Sequence, residues 1–123
     1  MKIKPLEKVK EVDVTPVELI GKAKSTIKWA ITEEDGAPTF EMRYISLSVG
    51  STTPFHAHPW EHEVYIVKGE GTIRDKNNDE RDIKKDDFVF IKPNEKHQFI
   101  NISKTQDLDF ICVVPKGTRY KSK

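Results

Sequence analysis

The chain has 123 residues, enough for one domain with a real core and too few for two of ordinary size. Its 21 Lys and Arg nearly cancel its 20 Asp and Glu, leaving a formal charge of +1, so neither nucleic acid nor an anionic membrane is expected as a partner. No apolar run suits a signal peptide or a bilayer span, and a single cysteine, Cys112, cannot close a disulfide within the chain, so a cytoplasmic protein is expected.

Residues 1–14 alternate loosely and carry many lysines, which predicts an edge strand or an arm that pairs only when docked, here onto a partner's sheet. Thr15-Pro16-Val17-Glu18 reads as a capping box with proline at the first helical position, and Gly21 limits that helix to a turn or two. Thr26 to Thr32 is rich in β-formers and Glu33 to Pro38 supplies a turn. Phe40 to Val49 is the longest strand candidate. Arg43, Ile45, Leu47 and Val49 share the face taken as inner, with Met42, Tyr44, Ser46 and Ser48 on the other. An inward arginine needs an anionic partner, and Glu41 on the same face is the candidate. The alternative leaves both near a barrel mouth in water.

Next comes the densest signal. Three of the chain's four histidines, His56, His58 and His62, fall within seven positions, and the fourth is His97. Imidazole is the commonest metal-binding side chain, and His-x-His on an extended strand puts both rings on one face. His62 follows across a turn that Pro59 favours. Solvent-facing loop histidines are the plain alternative, but the flanking pattern weighs against it. In Glu63 to Lys68, an inward His62 carries Val64 and Ile66 inward and leaves Tyr65 and Val67 on an apolar outer face, which suggests cover by another sheet or subunit and hence a homodimer.

Thr72 to Arg74 and Arg81 to Lys84 flank a hairpin turn at 76–79. Phe88 to Ile91 is a short apolar strand, and the turn 92–96 delivers His97, with Phe99 on the same face of the strand His97 to Asn101. In Leu108 to Val114 the face is Leu108, Phe110 and Cys112, and Pro115 ends the strand. The closing residues 117–123 are expected to fray. About nine short strands and almost no helix predict an all-β, double-stranded jelly-roll barrel: one domain over 1–123, with an arm at 1–14 and a barrel core at 40–114.

These residues resemble the cupins. The first cupin motif, G(X)5HXH(X)3-4E(X)6G, is matched in register by Gly50, His56, His58 and Gly69, with His62 where the three-residue spacing puts the acidic residue. Glu63 fits only the four-residue spacing, stands one residue too near Gly69 and faces outward by parity. The second motif, G(X)5PXG(X)2H(X)3N, is matched at His97 and Asn101, with Asp86 and Asn94 in place of its glycines and Lys92 in place of its proline. Asp and Asn are the non-glycine residues most tolerant of left-handed backbone, so both departures are mild.

More narrowly, HPWEHEVYIVKG, KPNEKH and FICVVPK are similar to small single-domain cupins that hold manganese on four histidines. The resemblance implies one divalent metal ion per chain on His56, His58, His62 and His97, manganese first, with iron, copper, nickel or zinc as alternatives. It also implies a pocket, for which Arg43, Trp60, Phe99, Phe110 and Cys112 are the candidates. Trp60 is read as either a lid or a core anchor. Because cupins perform many reactions, the substrate stays open. The expected function is an oxygen-using metallo-oxidoreductase of dioxygenase type on a small, anionic, chelating molecule. The alternatives are a non-catalytic metal-dependent binding protein and a cupin isomerase.

Overall fold

The computed structural model describes residues 1–118, and the alternation read above becomes nine strands there. They are β1 (Glu11–Asp13), β2 (Ser25–Ile31), β3 (Phe40–Leu47), β4 (His62–Lys68), β5 (Glu70–Asp75), β6 (Glu80–Lys84), β7 (Phe88–Ile91), β8 (His97–Asn101) and β9 (Leu108–Pro115). Every pairing is antiparallel, in a six-stranded sheet ordered β1-β2-β3-β9-β4-β7 and a three-stranded sheet ordered β6-β5-β8. Side chains of both sheets wall one cavity, the two-sheet plan of a jelly-roll barrel. No helix of the described residues is long and apolar enough to cross a membrane.

The register decides what stands beside what. Across the larger sheet Trp29, Arg43, Cys112 and Val64 form one row, and Ile27, Ile45, Phe110 and Ile66 form the next. Leu47 and Leu108 close the inner end, both fully buried. Each such aliphatic or aromatic side chain contributes about 1.5–3 kcal/mol on burial, so these rows anchor the barrel. Phe99 of β8 stacks on Phe110 of β9 at 4.3 Å between ring centres and joins the two sheets.

Several expectations are corrected. The strand of the longest candidate ends at Leu47, so Val49 lies exposed in the turn that Gly50 closes at a φ of 79°. Residues 51–58 form no strand. Thr52 and His56 make isolated bridges to Ile100 and His97, because Pro54, between them, cannot donate to a ladder. Thr15 caps no helix: its hydroxyl donates to Asp13 Oδ1 at 2.6 Å and accepts from the Ser25 N–H at 2.9 Å, leaving only a 3-10 turn at Val17–Leu19. The capping box lies instead at Thr32 and Asp35, where the turn ends on Gly36 at a φ of 91°.

The arm pairs within its own chain, β1 lying at the edge of the larger sheet against β2. Lys4 Nζ holds it down through Asp35 Oδ2 at 2.7 Å and the Ala30 carbonyl at 2.9 Å, and Lys28 Nζ donates to the Leu6 carbonyl at 2.9 Å. The Lys4 hydrogen bond lowers the Asp35 carboxyl to about 2. In the expected frayed tail, Thr118 is buried and the Gly117 N–H donates to Glu41 Oε1 at 3.1 Å, while 119–123 lie outside the described residues. Tyr65 and Val67 point outward as expected but are half-buried. The most exposed apolar groups beside them are Phe88 at 82% and Phe90 at 59%.

On β5, Gly71 leaves no room for a side chain: a Cβ there would overlap the Ile100 carbonyl oxygen and stand 2.7 Å from Leu108 Cδ2. Gly71→Ala is expected to destabilise the barrel by about 1–3 kcal/mol, read as a lower urea midpoint at an unchanged slope. An unchanged midpoint would show that the two sheets give way at this contact.

Candidate metal centre

The four histidines converge from three parts of the chain. His62 opens β4 and His97 opens β8, while His56 and His58 come from the irregular segment between β3 and β4. Their ring centres stand 4.2 Å (His56 and His58), 5.0 Å (His56 and His97), 5.1 Å (His62 and His97), 5.4 Å (His58 and His62) and 6.1 Å (His58 and His97) apart. Each placement has a local cause. His56 and His97 exchange backbone hydrogen bonds of 3.1 and 2.9 Å, which set one ring beside the other. Asn94 adopts a φ of 66° and so aims its N–H at the His58 carbonyl, 2.6 Å away. Asp86 is likewise left-handed, at 75°, so both departures from the glycine pattern keep the backbone that glycine would take.

His97 Nδ1 lies 2.8 Å from the Glu95 carbonyl, which can only accept, so the proton sits on Nδ1 and Nε2 keeps its lone pair. His58 stacks on Trp60 at 4.5 Å and 5° between planes. His62 is 3% exposed; its Nδ1 faces Cys112 Sγ at 3.2 Å and Arg43 Nη2 at 3.3 Å, and its Nε2 is buried without a partner. Burial is the largest cause lowering all four imidazoles below 6.5, to about 3 for His56, about 4 for His58, about 2 for His62, and downward for His97. Their mutual proximity and Arg43 add to it. At neutral pH the centre is therefore four uncharged nitrogen bases, the protonation state a cation needs. The donor atoms do not close on a point: no group of three or more His, Cys, Asp or Glu side chains among the described residues stands at ion-holding geometry.

The sequence pattern of the cupin domain matches residues 43–114. The chain belongs to the cupin family. Over 71 residues this cupin is 37% identical to the oxalate-binding protein of Thermotoga maritima, 57% of each chain, so it spans somewhat over half the length of that curated relative. Among solved structures, the polyketide cyclase RemF of Streptomyces resistomycificus superposes with a TM-score of 0.80 at 28% identity, over 94% of this chain and 79% of that one. A predicted oxalate decarboxylase from Thermotoga maritima shares the fold at a TM-score of 0.76 and 22% identity, covering 94% and 99% of the two chains.

Of the pocket candidates, Arg43, Phe99, Phe110 and Cys112 line the cavity along with all four histidines. Trp60 does not; it supports His58 from behind and packs on the core. Glu63 is exposed on the outer face, opposite Phe90 and Val113. The expected pairing of Arg43 with Glu41 is absent. Glu41 is buried but accepts from the Glu33 and Gly117 N–H groups, whereas Arg43 Nη2 donates to Cys112 Sγ at 2.9 Å and its guanidinium lies 5.5 Å from the Trp29 ring centre. Burial pushes the Cys112 thiol up, and Arg43 acts the other way. Trp29 and the arm were missed as cavity walls. The alternation of β2, which sets Ile27 and Trp29 on one face, held the signal for the first.

Because the folded rings resist protonation, the unfolded chain binds more protons once the pH falls below about 6.5. Their contribution to stability is complete above that value and is lost as the pH drops toward the folded values. The melting temperature of metal-free protein is expected to fall between about pH 7.5 and pH 5, and a flat or rising value would mean that the rings take up protons in place.

Proposed function

We propose that His56, His58, His62 and His97 together hold one divalent metal ion, with Glu63 outside the set, and that this cupin uses it to oxidise a small anionic chelating molecule with dioxygen. The observation that carries this reading is His62 Nε2, a buried nitrogen without a partner in a cavity shared with three other neutral imidazoles. An orphaned buried polar atom is costly unless something occupies it. An imidazole nitrogen sits about 2.1 Å from its ion, so rings sharing one stand roughly 4–6 Å apart, the spacing seen here.

The resemblance to four-histidine cupins puts manganese first and iron second, while nitrogen affinity by itself would favour copper, nickel or zinc. When bound, such an ion supplies a redox-capable Lewis acid with coordination positions beyond the four imidazoles. The chain does the rest. The Glu95 carbonyl fixes the tautomer of His97, Trp60 fixes the plane of His58, and Arg43 offers guanidinium N–H groups to a carboxylate beside His62. Phe99 and Phe110 keep water from the inner wall. With four neutral donors the full charge of the ion remains, and Arg43 adds to it, which favours an anion.

Metal-dependent binding without chemistry is the second reading, favoured by the match to a relative named for binding oxalate. A metal-free isomerase is disfavoured, because no tyrosine lines the cavity among the described residues to pair with a histidine base. Elemental analysis is expected to give about one manganese per chain in the native protein and in Glu63→Ala, and a clear loss in His62→Ala and His97→Ala. Loss in Glu63→Ala with retention in His62→Ala would sink the assignment. Oxygen uptake with diketones, catechols or short acids, oxalate included, separates catalysis from binding: ligand bound without uptake leaves the binding reading.

The same reading takes the chain as a homodimer, with Phe88 and Phe90 beside Tyr65 as the covered face, two exposed phenylalanines on an edge strand being a poor water surface. Light scattering at micromolar concentration is expected to give twice the chain mass; a single chain mass would end it.

A further inference from the structure

The cavity behind the four histidines is much larger than the ligand so far considered. Its volume is about 960 Å³. A two-carbon dicarboxylate has six heavy atoms, each no bulkier than a water at about 30 Å³, and would fill roughly a fifth of that space. Lys4, Lys8, Lys10 and Glu34 line the side of the cavity toward the arm, but most of its wall is apolar. One row below Arg43 and Cys112 the larger sheet presents Ile27, Ile45 and Phe110, and on the facing sheet Phe99 follows His97 by two residues. Two residues along a strand is about 7 Å, so an apolar compartment begins one ring's length from the polar centre. Residues of the arm, among them Val9 and Val12, complete the wall on the side of β2, and the lysine contacts with Asp35, Ala30 and Leu6 hold that segment in place.

We infer that the ligand of this cupin is amphipathic: an anionic, chelating head group on the imidazoles and Arg43, and an apolar body of one or two fused rings against Ile27, Ile45, Phe99 and Phe110. The inference rests on the metal-centre reading for the head and on the cavity alone for the body. Water against four such walls has few polar partners, so an apolar body that displaces it gains affinity that a small diacid cannot. Arg43 marks the boundary. It has no carboxylate partner among the ion pairs of the described residues, its Nε is buried without a hydrogen bond, and its guanidinium reaches both His62 and Cys112. A head-group carboxylate at this position meets a guanidinium whose present side-chain partners, Cys112 and His62, are both uncharged, and a charged acceptor competes well against them.

Three probes share the head and differ in the body: oxalate, salicylate and 3-hydroxy-2-naphthoate. Titration calorimetry on manganese-loaded protein is expected to rank them in rising affinity, with the naphthoate about tenfold or more tighter than oxalate. Ile45→Trp fills the apolar compartment without touching a histidine. It is expected to weaken the naphthoate about tenfold while leaving oxalate affinity and metal content unchanged. Should that variant fail to fold by circular dichroism, Ile27→Phe takes its place. Oxalate binding as tightly as the naphthoate overturns the inference, as does a variant that leaves naphthoate affinity intact or weakens all three probes alike. If elemental analysis finds no metal in native protein, the metal reading has failed by itself. The same naphthoate comparison on metal-free protein then decides the body: binding lost on Ile45→Trp upholds the apolar compartment, and no binding overturns it.

Discussion

The pair of backbone hydrogen bonds between His56 and His97 is the contact on which the centre depends. Residues 51–56 run beside β8 without becoming a strand of it: Asn101 N–H donates to the Ser51 carbonyl, Thr53 N–H to the Phe99 carbonyl, and His56 and His97 bond each other both ways. The segment is thus tied at Ser51, Thr53 and His56 while Pro54 keeps it irregular. Its inner end is anchored by buried polar groups, Ser25 Oγ reaching Ser51 Oγ at 2.5 Å and the Thr52 carbonyl at 3.0 Å, and Asn101 Nδ2 reaching the Leu47 carbonyl at 2.9 Å. Such groups are worth keeping buried only when fully satisfied, and these are. His56 is thereby tied to the backbone of β8, and His58 to the Asn94 N–H.

From that contact the layering follows. His97 heads β8 and Phe99 lies two residues on; His62 heads β4 with Val64 and Ile66 beneath it; Arg43 stands on β3 above Ile45 and Leu47. In each strand the polar inward residue is at the same end, so antiparallel pairing gathers the polar groups into one layer and the apolar ones into another. A shift of one residue in any of these registers would turn its histidine or arginine to solvent and its outward neighbour into the core. The fold and the site are in this sense one constraint.

Period-two reading recovered these strands because half-buried strands write their faces into the sequence: the burial of His62, Val64 and Ile66, and of Leu108, Phe110 and Cys112, follows parity without exception. The left-handed backbone at Asp86 and Asn94 was legible for a similar reason, since few residue types tolerate it. What failed needed partners far away in sequence. Thr15 had a helix-start pattern but found Asp13 and Ser25 first. Trp60 gave no parity signal, lying in a turn, and its place behind His58 is set by ring stacking. Nor could the arm announce that it pairs with β2, because a strand of three residues carries almost no periodicity.

Glu41 and Arg43 teach the sharpest lesson. Both lie on the inward face of β3, two residues apart, with opposite charges, and sequence logic pairs them. The barrel instead satisfies the buried Glu41 carboxylate with two backbone N–H groups, one from the turn after β2 and one from Gly117 beyond β9. Amides stabilise a buried carboxylate without a countercharge, because two well-aimed N–H dipoles take the place of the missing water shell. That leaves the guanidinium of Arg43 without a carboxylate partner among the described residues, beside four imidazoles that burial keeps neutral. The cavity therefore carries the Arg43 charge at its histidine end and a mostly apolar inner wall, an asymmetry made by the choice of Glu41's partner as much as by the histidines. An anion in the proposed site would meet Arg43 in the place that Glu41 leaves open.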